Sequence, residues 1–114
     1  MKIESYDFGS IVIDGKTYTK DLIVSADKLK PNWWREEGHS LTVKDVQDII
    51  DKECEILVVG TGHGGVMEVP LETKKYVESL GIEIIAQKTT KAVNTYNKLL
   101  DEGRKVIGAF HLTC

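Results

Sequence analysis

The chain has 114 residues, 15 of them Lys or Arg and 18 Asp or Glu, for a formal charge of -3. That length suits one domain, and the mild acidity argues against a nucleic-acid binder, whose footprint is basic. Hydrophobic residues make up 41%, as in an ordinary folded domain, and no run approaches the roughly 20 apolar residues that a membrane helix needs.

The first residues, Met1 to Asp7, lack the apolar centre of a secretory signal. Two cysteines cannot staple a domain of this size and suit a reducing compartment. The expected setting is therefore cytoplasmic, with no membrane partner.

In chain order, Ile11-Val12-Ile13 and Lys16-Thr17-Tyr18 flank Asp14-Gly15, the signature of a type I′ hairpin. Leu22-Ile23-Val24 is a third strand or a continuation of the second. Pro31 to His39 breaks any period and reads as a loop. Thr42 is a good N-cap, with Asp45 three residues on as an approximate capping box. Leu41 and Val46 are placed for a hydrophobic staple. Val43, Val46, Ile49 and Ile50 share a helical face, and the helix is expected to end near Lys52.

Glu55-Ile56-Leu57-Val58-Val59-Gly60 is nearly continuous in apolar character, as in a strand covered on both faces. Pro70 suits the first turn of a helix through Leu80, closed by Gly81. Ile82 to Ala86 is the next strand. Thr89 or Thr90 is expected to cap a helix with Ala92, Val93, Tyr96, Leu99 and Leu100 on one face, ended by Gly103. Lys105 to His111 is the last strand. The order is an N-terminal β-hairpin element followed by an α-β-α-β-α-β core. Crossovers of helical length make the three core strands parallel, and residues 1–114 form a single α/β domain.

Gly60-Thr61-Gly62-His63-Gly64-Gly65 formally matches G-x-G-x-x-G. A dinucleotide site needs the third glycine inside the following helix and an acid after the next strand. Here Val66 to Val69 intervene before Pro70, and the second position holds Ala86-Gln87-Lys88. No Lys-Ser or Lys-Thr completes a P-loop. Two readings remain: an anion-binding nest of backbone amides, or a wide turn that needs positive φ.

Parallel open sheets bind ligands outside the carboxyl ends of their strands. Gly60 to Gly65, Gln87 to Thr90 and His111 to Cys114 should meet there. That rim carries His63, Lys88, Thr89, Thr90 and His111, a candidate site for a small anionic ligand. His111 and Cys114 can chelate together only if the strand ends after His111. Without further clustered ligands no metal or cofactor is expected. Cys114 with His63 or His39 is a weaker candidate for a nucleophile pair. Of Trp33 and Trp34, beside Arg35, one ring should cover the core edge while the other is free to mark a partner surface.

Several residues carry a resemblance. Val69-Pro70, Tyr76, Gly81-Ile82, Thr90, Ala92-Val93, Tyr96-Asn97, Leu99, Gly103, Val106, Gly108, Phe110-His111 and Thr113-Cys114 resemble a small family of domains. That family includes the adipogenesis-associated domain protein and, more distantly, a mitochondrial respiratory complex I assembly factor. The distant branch shares the Val58-Val59-Gly60-Thr61-Gly62 strand-turn and the Thr95-to-Gly103 helix pattern. The Phe8-Gly9 hairpin and the Trp34-Arg35 region are also similar. The resemblance implies a three-layer α/β domain and brings no reaction with it. The mitochondrial branch differs after Gly-Thr-Gly and lacks the His111-to-Cys114 ending. The present chain shows no presequence pattern, so a role inside that organelle does not carry over.

Two functions follow as expectations. One is a non-enzymatic interaction or assembly module, binding a protein partner or a second copy of itself through Trp33, Trp34 or Arg35. The other is a small-ligand or anion-binding domain, or a weak enzyme, using Gly60, Thr61, Gly62, His63, Gly64, Lys88, Thr89, Thr90 and His111.

Overall fold

The Asp14-Gly15 turn is where expected, with φ of 51° and 74°, the double positive φ of a type I′ turn. It joins strand β2 (Ser10–Ile13) to β3 (Lys16–Tyr18). A computed structural model describes residues 1–114. It adds a preceding strand, β1 (Ile3–Asp7), antiparallel to β2. Only Ile3 of β1 is fully buried, so its sequence carries little of the alternation that marks a strand.

Leu22–Val24 forms β4, a strand separate from β3 and in another sheet. A two-residue β5 (Leu29–Lys30) pairs with it at the edge. Helix α1 covers Val43–Ile49, shorter than expected. Asp51 accepts hydrogen bonds from the Glu53 and Cys54 amides, a local turn that competes with further helix. The capping box is present: Asp45 donates its amide to Thr42 Oγ1 and accepts the Thr42 amide.

The remaining elements are β6 (Ile56–Thr61), α2 (Leu71–Ser79), β7 (Glu83–Gln87), α3 (Thr89–Asp101) and β8 (Val106–His111). Strands β6, β7 and β8 are parallel, as expected, and β4 joins β8 antiparallel. The five-stranded order is β5-β4-β8-β6-β7.

The cap of α3 differs from the sequence expectation. Lys88 occupies the N-cap without a side-chain bond, and Thr89 is the first helical residue. Its hydroxyl is drawn into the sheet end instead. It donates to the His111 carbonyl at 2.6 Å and accepts the Gly62 amide at 2.9 Å.

Alternation along the covered strands divides the core. Ile56 and Val58 of β6, with Val106 and Phe110 of β8, pack with α3 and the β1–β3 sheet. Leu57, Val59, Ile107 and Ala109 pack with Val46 of α1 and Val77 of α2 on the other face. The result is three layers, with the carboxyl ends of β6, β7 and β8 at one end.

Candidate functional site

Register brings the first pair of site residues together. Leu22 lies opposite Phe110 in the antiparallel β4–β8 ladder. One step further, Asp21 meets His111, the last residue of β8. Asp21 Oδ2 is 2.7 Å from His111 Nδ1, and Asp21 Oδ1 accepts the Leu112 amide at 2.9 Å.

The long loop supplies the third member. The Trp33 amide donates to the Asp21 carbonyl, which anchors the loop against β4. Arg35 then reaches inward, its side chain only 6% exposed. Its Nη1 donates to Asp21 Oδ2 at 2.8 Å and its Nη2 to the Gly38 carbonyl at 2.9 Å. The guanidinium lies over the Trp33 ring, 4.6 Å from the centroid, a cation–π contact.

The electrostatics follow from this packing. Burial alone would push the Asp21 carboxyl up. Hydrogen bonds from His111, the Leu112 amide and Arg35 outweigh it and hold Asp21 below its ordinary value. The carboxylate at Nδ1 favours the ring tautomer with its proton there, which puts the lone pair of a neutral ring on Nε2, while Arg35 Nη2 lies at a longer 3.3 Å from the same Nδ1. His111 Nε2 and Arg35 Nε are both buried without a hydrogen-bond partner.

Asp21, Arg35 and His111 line the largest of five cavities, about 590 Å³. Lys20, Asn32 and Trp34 also line it. Trp34 is 85% exposed, whereas Trp33 is buried. One ring therefore covers the core and the other faces solvent.

The glycine-rich loop and the rim do meet at the strand ends, but they close on each other. Thr61 pairs with His111. The His63 amide donates to the Thr113 carbonyl, the Val66 amide to Cys114, the Met67 amide to Thr61 and the Gly65 amide to Gly62. Those amides are turned to partners within the chain. A Cβ at Gly60 would lie 2.8 Å from Phe110 and Thr89, and one at Gly64 would lie 2.8 Å from the Cys114 carbonyl. The glycines here allow close passage of backbone.

Lys88 and Thr90 are exposed and Thr89 is buried. His63 is exposed beside Phe8, ring centroids 5.6 Å apart. His39 and Cys114 instead approach His111, with one ligating atom from each within 4.8 Å of the others. Strand β8 does end at His111, which is the condition that lets His111 and Cys114 share a site.

Asp21, the centre of the buried network, was not among the sequence candidates. Its only local signal is an acid beside the short apolar run Leu22-Ile23-Val24, and its partner is ninety positions away.

The family model for proteins of unknown function designated DUF498/DUF598 matches residues 3–111. The chain belongs to this family. A conserved hypothetical protein of Pyrococcus horikoshii is 30% identical over 100% of both chains, with a TM-score of 0.79. A Bordetella parapertussis protein is 24% identical, covering 96% of this chain and 92% of its own, with a TM-score of 0.81. A Bordetella pertussis protein described as a Mth938-like domain is 20% identical over 97% and 85% of the two chains, TM-score 0.79. The two Bordetella likenesses show a shared fold. The family description names no activity, so function has to be argued from the site.

Proposed function

We propose that this domain binds a small polar ligand carrying an acidic group, in the cavity beside Asp21, Arg35 and His111. The observation that supports it is the convergence on the largest cavity of three ionisable side chains, Arg35 and His111 buried and Asp21 partly so. A volume of about 590 Å³ falls in the range of small-molecule sites. Buried charge is costly unless paired, and here it sits against open space rather than deep in the core. Lys20, on the lining, offers a cation with no salt-bridge partner among the ion pairs of the chain. Trp34 offers a flat apolar wall.

The test is a thermal-shift screen with small carboxylates, phosphates and nucleotides, followed by titration of Lys20→Ala and Trp34→Ala. Both residues are exposed, so both variants should fold. At a hundred times its dissociation constant, a ligand adds about 2.7 kcal/mol, on the order of ten degrees in a domain this size. The expected result is such a shift, with affinity at least fivefold weaker in each variant. No shift with any compound, or a hit unchanged by both substitutions, overturns the reading.

A second reading is supported by Trp34 itself. Large apolar side chains at this exposure are favoured anchors for partners. Sedimentation of the wild-type chain and Trp34→Ala tests it in the form of self-association. A concentration-dependent dimer lost in the variant supports it; a monomer throughout counts against it.

A further inference from the structure

We propose that His39, His111 and Cys114 form a binding site for a zinc-class divalent metal ion. The inference goes beyond the cavity ligand and does not depend on it.

Three observations carry it. First, the imidazole of His39, from the long loop, meets the imidazole of His111 and the thiol of Cys114 three residues further on, and the three place one ligating atom each within 4.8 Å of one another. Imidazole nitrogen and thiolate sulfur are the donors that zinc favours. His39 is held in place by its backbone, whose carbonyl accepts the Glu68 amide at 2.8 Å. Its ring stands edge-on to His111, with 6.0 Å between centroids.

Second, His111 has the electronic arrangement of a metal ligand. Its Nδ1 lies 2.7 Å from Asp21 Oδ2 and, more loosely, 3.3 Å from Arg35 Nη2. The shorter contact, to a carboxylate that can only accept, favours the proton on Nδ1, and Asp21 is itself held by Arg35 and the Leu112 amide. Metal-bound histidines usually donate their second ring nitrogen to a carboxylate in this way, which orients the ring and makes the other nitrogen more basic.

Third, His111 Nε2 is buried with no hydrogen-bond partner, and its side chain is only 8% exposed. A buried acceptor without a partner is costly. A metal ion would satisfy it.

Tetrahedral bonds at zinc distances put ligand atoms roughly 3.3–3.6 Å apart. The cluster must therefore close by about 1 Å around an ion. His39 and Cys114 are exposed, and rotation of their side chains supplies that movement while His111 stays fixed. Three protein ligands leave a fourth position open, the arrangement of a reactive rather than a purely structural zinc. His111 also borders the large cavity, so the open position would lie near it.

The test uses the full chain, reduced, stripped with chelator and titrated with Co²⁺ and then Zn²⁺. The expected result is one metal per chain, a near-ultraviolet thiolate-to-cobalt charge-transfer band, and tetrahedral cobalt bands in the visible, all displaced by zinc. Cys114→Ser should abolish the charge-transfer band. His39→Ala should weaken binding at least tenfold. Neither residue belongs to the buried core, so both variants should fold. Asp21→Asn should weaken binding by roughly 10–100-fold. His63→Ala and Lys20→Ala should leave the spectrum unchanged, which separates this site from the cavity ligand. A band that survives Cys114→Ser, an affinity unmoved by His39→Ala, or no thiolate band at all overturns the proposal.

Discussion

Asp21 Oδ2 lies 2.7 Å from His111 Nδ1, between residues ninety positions apart. The contact exists because β4 runs antiparallel to β8 with Leu22 opposite Phe110. Arg35 closes the group from a third segment. Its guanidinium is buried, so the Asp21 carboxylate is its necessary counter-charge. Removing one member of such a pair leaves the other uncompensated. Asp21→Ala should cost about 3 kcal/mol in urea unfolding. A loss below about 0.5 kcal/mol would show that solvent reaches Arg35 freely.

The adjacent tryptophans should separate cleanly. Trp33 is buried under Arg35, while Trp34 is 85% exposed. Trp33→Ala should destabilise by about 3–5 kcal/mol. Trp34→Ala should stay within about 0.5 kcal/mol of the parent, whatever it does to binding. Equal effects in denaturant titrations would contradict this division.

Gly62 has φ of 106°, and a Cβ there would run into the Thr113 carbonyl. Gly81 has φ of 78° with open space around it. Gly81→Ala therefore meets only backbone strain, about 1 kcal/mol. Gly62→Ala adds a clash with main chain and should cost at least about 2 kcal/mol while displacing the tail formed by Thr113 and Cys114. Equal losses would mean that the tail yields without penalty.

Cys54 is buried, and burial, reinforced by Asp51, pushes its thiol up to about 11 from 9.0. Below pH 9 both folded and unfolded chains keep the proton, and stability is unaffected. Between about 9 and 11 the unfolded thiol ionises while the folded one does not, so stability falls as pH rises. The loss is on the order of 2 kcal/mol. The fall should be shallower in Cys54→Ala, read as unfolding free energy against pH for both proteins. Parallel curves would show that Cys54 ionises as readily in the fold as outside it.

Local chemistry made much of the fold legible. The Thr42 capping box and the Asp14-Gly15 turn involve residues within three positions of each other, and both form as read. The parallel order of β6, β7 and β8 follows from strand spacing. The site was less legible because its parts are joined only by tertiary register. His111 and Arg35 were visible as residue types. Their tie through Asp21 depends on which strand flanks β8, and the short run Leu22–Val24 does not encode that choice. Thr89 shows a similar limit. A threonine before a helix reads as a cap, but the sheet end offered its hydroxyl a buried donor and acceptor together.

The place of β8 has a consequence for the order of assembly. It is the last strand in sequence yet lies between β4 and β6, inside the sheet. A growing chain that has made β4 has no inner neighbour for it until Val106–His111 emerges. The pairing of Leu22 with Phe110 closes most of the chain into one loop, and such distant contacts slow folding. Until then the apolar faces of β4 and β6 stay uncovered on the side that β8 will fill. During synthesis this domain is thus exposed to aggregation for nearly its whole length, and it completes in a late step rather than by adding strands one after another.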